Sequence, residues 1–188
     1  MPDRHIIVLT APSGAGKTTI AHHVMEAIPE LQFSVSATTR APRPDETHGE
    51  DYFFVSDSDF REYIESGKLL EYEEVYSGKL YGTLRSEVER VAEEAPVLLD
   101  IDVKGALNVK RIFGDEALVI FIAPPSMEVL AERLRGRGTE QATDVEERLQ
   151  RAEMEMDAAD RCDRVVINDV LDEAVAETLE AVRQFLNC

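Results

Sequence analysis

The chain has no tryptophan and little cysteine or lysine. The two cysteines, Cys162 and Cys188, stand far apart with no CxxC spacing and no histidine nearby, which excludes a disulfide framework and a zinc site. No apolar run approaches the ~18 residues of a membrane-spanning helix. The stretch at residues 6–9 is too short for the core of a secretion signal and lacks a cleavage site, so a cytoplasmic protein without membrane contact is expected. Glycine and proline, 10 and 8 residues in 188, are too few for a fibrous chain, and there is neither an internal repeat nor a low-complexity tract.

The shortage of lysine leaves acid unbalanced. Against 38 Asp and Glu stand 20 Lys and Arg, only five of them lysine, for a formal charge of −18. Such a charge opposes non-specific association with nucleic acid or anionic membranes, and an anionic ligand then requires a basic pocket of its own. It also makes the surface repel itself, which salt-adapted proteins exploit, so a host with a high-salt cytoplasm is one expectation and simple solubility the other. With 44% apolar residues in 188, the chain can build one domain around a real core.

Continuous aliphatic runs at residues 6–9, 97–101, 118–122 and 165–167 read as strands buried on both faces of a parallel sheet. Helical stripes lie between and after them: Ile20, Val24, Ala27 and Ile28, closed by Pro29; Val129, Leu130 and Leu134, closed by Gly136 and Gly138; and Ala174, Val175, Leu179, Val182 and Leu186. Thr143-Asp144-Val145-Glu146 has the form of a capping box opening a further helix. Residues 34–83 break the alternation, with strand-like pieces at 33–35, 52–55 and 69–75 around one helix at 60–66. The expectation is a doubly wound α/β core formed by residues 1–33, 84–132 and 152–188, with a small mixed α/β insertion at 34–83 and a mobile arginine-rich segment at 133–151.

Directly after the first strand stand Ala11-Pro12-Ser13-Gly14-Ala15-Gly16-Lys17-Thr18, followed by Thr19 and a helix. Apart from alanine at its first position, this is the G-x-x-x-x-G-K-[ST] phosphate-binding loop in its strand–loop–helix setting. Gly14 and Gly16 permit a backbone path on which successive N–H groups converge on phosphate oxygens at a helix N-terminus. Lys17 then reaches the β- and γ-phosphates, and the Thr18 hydroxyl ligates Mg2+. A nucleoside triphosphate site leaves GTPases, ATP-driven machines and small-molecule kinases open. Asp102-Val103-Lys104-Gly105 matches the D-x-x-G of GTPases, but the guanine-reading N-K-x-D is absent.

The insertion carries Arg40 and Arg43, with Tyr52 behind them in Gly49-Glu50-Asp51-Tyr52-Phe53. Paired guanidinium forks and a phenol suit a phosphate dianion. Glu71 lies in an expected strand, and Tyr81-Gly82-Thr83 ends the insertion. A buried carboxylate suits guanine, whose N1–H and 2-amino group are two donors side by side, while the Ser36 and Thr83 hydroxyls can donate to O6. Adenine offers an acceptor at N1 and would leave the acid unpaired.

Taken together, APSGAGKT, SATTRAPR with GEDYFF behind it, the Glu71 strand, YGT, LLDID, GRGT and VVIND resemble the guanylate kinase family in kind and order, over roughly residues 6–181. The resemblance implies a P-loop NTPase three-layer α/β core with a parallel sheet, a GMP-binding insertion and an arginine-rich lid. It implies transfer of the γ-phosphoryl group of ATP to GMP or dGMP with Mg2+ as cofactor, a step of purine nucleotide metabolism. Ser36, Glu71 and Thr83 would contact the guanine, with Asp100 near its amino edge, and Arg40, Arg43, Tyr52 and Tyr81 would hold the GMP phosphate. The loop from Ala11 to Thr19, with Arg133, Arg137 and Arg148, would bind ATP, Asn168 would lie beside the adenine, and Asp102 would face the metal through water. Lys17, Arg40, Arg137 and Arg148 are the residues expected to carry catalysis. The run from Glu71 to Tyr81 is one residue longer than the family's familiar form.

Two other readings stand beside this one. A family-like binding module without catalysis would lack parts of the phosphate-binding loop, and a kinase of a phosphorylated sugar would leave Ser36, Glu71 and Thr83 no base to read. His22, His23 and His48 are expected at ordinary surface positions and Met154 and Met156 in packing, while Arg135 and Arg151 divide between phosphate contact and a solvated helix face. An acceptor that is already an ionised phosphate oxygen needs no general base, so catalysis reduces to in-line positioning and charge neutralisation behind a closing lid.

Overall fold

A computed structural model describes residues 5–75, 78–136 and 142–187. In chain order the elements are β1 (Ile6–Thr10), α1 (Lys17–Ala27), β2 (Gln32–Phe33), β3 (Ala37–Thr38), β4 (Phe53–Phe54), α2 (Asp57–Glu65), β5 (Leu69–Val75) and β6 (Lys79–Leu84). There follow α3 (Arg85–Glu94), β7 (Val97–Asp100), α4 (Val103–Phe113), β8 (Ala117–Ala123), α5 (Met127–Gly136), α6 (Ala142–Met156), β9 (Arg164–Ile167) and α7 (Leu171–Leu186).

Five strands form a parallel sheet in the order β2-β7-β1-β8-β9. Successive side chains leave a strand on opposite faces, so Ile7 and Leu9 of β1 join Ile20 and Val24 of α1 and Val182 of α7, whereas Ile6 and Val8 join Val88 and Val91 of α3 and Val109 of α4. A strand covered on both faces has no solvent side to make polar, which is why β1 and β8 are unbroken apolar runs. The resulting three layers place the C-terminal end of β1, and the loop that leaves it, at one rim of the sheet.

A second sheet, of order β4-β3-β6-β5, is mixed: β3 runs parallel to β4, and β6 runs antiparallel to both β3 and β5. Its core is built on Phe60 of α2, fully buried with Ala37 and Leu80. Ser56 caps α2, its hydroxyl accepting the Asp59 N–H at 3.1 Å.

The structure differs from the sequence reading in several places. The piece expected at 33–35 within the insertion is β2, and it pairs with β7 in the main sheet. Strands β3 and β6 and helices α3 and α4 are not among the elements expected, although α3 buries Val88, Val91 and Ala92 at i, i+3 and i+4, a short helical stripe. Helix α6 already includes Ala142, so Thr143 falls inside its first turn rather than at a cap. Met156 packs against the core beside Phe121, but Met154 is 67% exposed.

Candidate active site

A cavity of about 490 Å3 lies between the phosphate-binding loop and the second sheet, lined on one side by Ser13, Lys17 and Thr18 and on the other by Ser36, Glu71 and Tyr81. The loop is fixed largely by backbone. Gly14 and Gly16 take φ of +93° and +97°, a region that only glycine enters freely, and the Ala15 N–H returns to Pro12 O at 3.1 Å. Gly16 is closed in as well, since a Cβ there would collide with the Asn168 amide. That amide donates from Nδ2 to Ala15 O at 2.7 Å, and Arg133 on α5 donates to Asn168 O at 2.9 Å. Asn168, expected beside the adenine, thus also braces the loop from below, and Arg133 is tied to the same residue.

Lys17, at the head of α1, donates from Nζ to Ile101 O at 2.9 Å and is ion-paired with Asp100 at the end of β7. The acid expected at the guanine amino edge therefore holds the phosphate-loop lysine here. Asp102 caps α4: its Oδ1 accepts the Gly105 N–H at 2.7 Å, while Oδ2 stands 3.9 Å from Arg151 of α6. Thr18 and Thr19 are exposed, and Thr18 faces the cavity.

On the acceptor side Arg40 is held from every direction. Its Nη1 and Nη2 donate to the Glu46 carboxylate at 2.9 and 2.8 Å, its Nε donates to Tyr81 Oη at 3.2 Å, and its guanidinium lies 5.5 Å from the Tyr52 ring centre. The Arg40 bonds, with a further one from the Arg43 N–H, hold the Glu46 carboxyl down at about 2. Glu46 is a functional neighbour that the sequence reading missed. Its only sequence signal is local: a carboxylate three residues beyond Arg43 can accept that residue's N–H, here at 2.7 Å. Arg43 itself is exposed.

Glu71 accepts a hydrogen bond from Thr83 Oγ1 at 2.5 Å across the β5–β6 ladder, in which the two residues stand directly opposite. The extra residue in this hairpin therefore does not separate them. Burial pushes the Glu71 carboxyl up to about 7, against the Thr83 hydroxyl bond, with the nearby Asp102 and Glu73 adding to the rise. Beside it Arg151 is ion-paired with Glu73 and donates from Nε to Glu155 at 2.8 Å, so this arginine spends its charge on acids rather than on open solvent. Arg148 lines the same cavity. Arg137 lies outside the described residues.

The chain's residues fit a magnesium ion carried in with substrate. Among the described residues no group of three or more His, Cys, Asp or Glu forms a metal cage. The cavity wall instead presents the Thr18 hydroxyl with Asp100 and Asp102, an oxygen-only set suited to an ion that keeps its waters and shares itself with phosphates.

Of the residues expected at the site, the structure gathers the phosphate-binding loop, Ser36, Tyr52, Glu71, Tyr81, Asp100, Asp102 and Arg148 around this one cavity. Arg40 and Thr83 stand directly behind it, bonded to Tyr81 and Glu71, and Arg133 and Asn168 stand behind the loop.

The family model for guanylate kinase matches residues 3–185. The chain is 68% identical over 187 residues to the guanylate kinase of Salinibacter ruber, covering the whole of both chains. It is 48% identical over 183 residues to that of Bacteroides thetaiotaomicron, covering 97% of this chain and 90% of the relative. The crystal structure of guanylate kinase from Anaplasma phagocytophilum superposes with a TM-score of 0.74 at 32% identity, over 96% of this chain and 85% of that one.

Proposed function

The chain belongs to the guanylate kinase family and is an ATP:GMP phosphotransferase; on that premise we propose how its own residues divide the work. The observation that carries this reading is the single cavity in which the phosphate-binding loop faces Ser36, Glu71 and Tyr81. Residues 34–83 serve as the GMP-binding insertion and 133–151 as the lid, on a core made of the rest.

The donor side binds ATP through the loop amides from Ala11 to Thr19, with Lys17 leaving Asp100 for the β- and γ-phosphates. Arg133, Arg137 and Arg148 add positive charge, and Asn168 stands by the adenine. The Thr18 hydroxyl and, through water, Asp102 would hold Mg2+, which would supply positive charge against the phosphates. On the acceptor side Glu71, ionised, accepts from guanine N1–H and the 2-amino group, and Ser36 and Thr83 address O6. Asp100 lies toward the amino edge. Arg40, Arg43, Tyr52 and Tyr81 grip the phosphate of GMP or dGMP, with Glu46 occupying Arg40 until it arrives.

The GMP phosphate oxygen is the nucleophile and is already ionised, so no side chain needs to take its proton. Rate enhancement comes from holding donor and acceptor in line and from the charges of Lys17 and the arginines around the transferring group. No described helix is long and apolar enough to cross a membrane, and a cytoplasmic site of action fits the acidic composition. The test is ADP formation from MgATP with GMP, AMP, UMP, CMP and ribose 1,5-bisphosphate as separate acceptors. Turnover with GMP far above the others is the expected outcome; equal or better turnover with the sugar phosphate would overturn the acceptor-site assignment.

A further inference from the structure

In the D-x-x-G segment of Asp102 to Gly105, which is not a GTPase motif here because the guanine-reading N-K-x-D is absent, Gly105 is left without a role. Gly105 lies in the first turn of α4, where glycine is a poorer helix former than alanine, so its presence calls for a packing reason. A Cβ built on Gly105 would stand 2.6 Å from Glu71 Cγ and 2.9 Å from Glu71 Cβ, closer than carbon atoms pack. The same Cβ would stand 3.0 Å from Asp102 Oδ1, the atom that accepts the Gly105 N–H.

The strand has little room to retreat from such a contact. One turn further along α4, Asn108 Nδ2 donates to Leu70 O, which fastens β5 to the helix at the residue before Glu71. On its other side β5 is closed by β6, where a Cβ on Gly82 would stand 2.8 Å from Glu71 O. With its backbone tied on both sides, Glu71 can relieve the Cγ contact only through its own torsions, and the Cβ contact only by a small shift of β5 against α4. Any rotation away from α4 moves the carboxylate off Thr83 Oγ1, now 2.5 Å away.

We propose that Gly105 is a positioning residue for guanine recognition: the side chain it lacks is the space in which Glu71 is held at the height of the base. The inference rests on the reading that Glu71 accepts from the guanine. Gly105 touches no substrate, and its effect passes through Glu71. The D-x-x-G pattern follows from the same requirement, an aspartate that caps the helix and a glycine that clears the strand.

The test is a cycle of Gly105→Ala, Glu71→Ala and the double variant against the unaltered enzyme. Each is assayed for the KM of GMP, the KM of ATP and the preference for GMP over IMP, which lacks the 2-amino group. Gly105→Ala is expected to raise the GMP KM roughly tenfold, about one well-placed hydrogen bond, and to narrow the preference over IMP by a similar factor. The ATP KM stays within about twofold, and in the Glu71→Ala background the change at 105 adds nothing to the GMP KM. An unchanged GMP KM and preference in Gly105→Ala, or an equal penalty in both backgrounds, overturns the proposal. An unaffected GMP KM in Glu71→Ala alone overturns the base reading beneath it. Should the single variant be too unstable to assay, the Tm is compared in a Glu71→Gly background, which removes both atoms that the new Cβ meets: a smaller Tm loss on changing Gly105 there supports the same contact, and an equal loss overturns it.

Discussion

The phosphate-binding loop and the acceptor wall face each other across one cavity, yet they are held by different means. The loop is contiguous in sequence and anchored mostly at backbone atoms: two glycines at positive φ, the Ala15 carbonyl bonded to Asn168, and Lys17 on the Ile101 carbonyl, with one ion pair, Lys17 to Asp100. The acceptor wall is assembled from distant residues and anchored by side chains, Arg40 to Glu46 and Tyr81, Thr83 to Glu71, Arg151 to Glu73. Backbone hydrogen bonds do not titrate between pH 4 and 9 and carry no net charge. Carboxylates and guanidiniums do carry charge, and Glu71 titrates near neutrality. The donor end should therefore depend on pH less than the acceptor end, where Glu71 changes charge.

The sharpest way to break this comparison is at Lys17. Lys17→Met should lower kcat by about 10^3-fold while circular dichroism and Tm stay near those of the unaltered enzyme, since the charge removed is one aimed at the transferring group. Retained kcat would show that the donor end does not depend on it.

Glu71→Gln comes next. It replaces one of two acceptor oxygens with a donor, and the GMP KM should rise about 10- to 100-fold with the ATP KM unchanged. A rise in both constants would mean that the two ends are not separable.

The pH dependence sharpens the contrast further. Only ionised Glu71 accepts both guanine donors, so the GMP KM should fall as pH rises through about 7, by up to about tenfold per unit on the acid side, with a flat ATP KM. The profile for GMP should flatten in Glu71→Gln, and an unchanged profile there would assign the titration to another group. Stability runs the opposite way. Glu71 binds its proton more tightly folded than unfolded, so this residue costs the fold stability as pH climbs from its ordinary 4.5 to about 7.

The smallest expected effect is that of salt. With a formal charge of −18, screening should raise Tm by several degrees between dilute buffer and molar KCl. A Tm that does not rise would remove the reading of the composition as a salt adaptation.

The core strands β1 and β8 were legible because burial on both faces leaves an unbroken apolar run, and the loop after β1 because its glycines and lysine are adjacent in the chain. Strand β9 is marked by its apolar run as well, but as an edge strand it buries only Val166 and leaves Val165 and Ile167 exposed, against the expectation of burial on both faces. Strand β2, two residues long, carries no period, and only its pairing with β7 shows which sheet owns it. Helix α4 hid behind the D-x-x-G pattern that Asp102 and Gly105 make for a different physical reason. Glu46 and Glu73 read in sequence as two more acids among 38, and nothing in their spacing marks Arg40 and Arg151 as their partners.

The sequence by itself determined the α/β class, the position of the phosphate-binding loop and the residue types that a guanine and two phosphates require. The first two are properties of local order, in which neighbours in the chain are neighbours in space; the third rests on the order of several motifs along the chain. The tertiary structure alone decided that Asp100 holds Lys17, that Asn168 braces the loop, and that Gly105 makes room for Glu71. Such pairings join residues tens of positions apart, and their geometry depends on how the two sheets and α4 pack, which no short-range pattern of charge or hydrophobicity encodes.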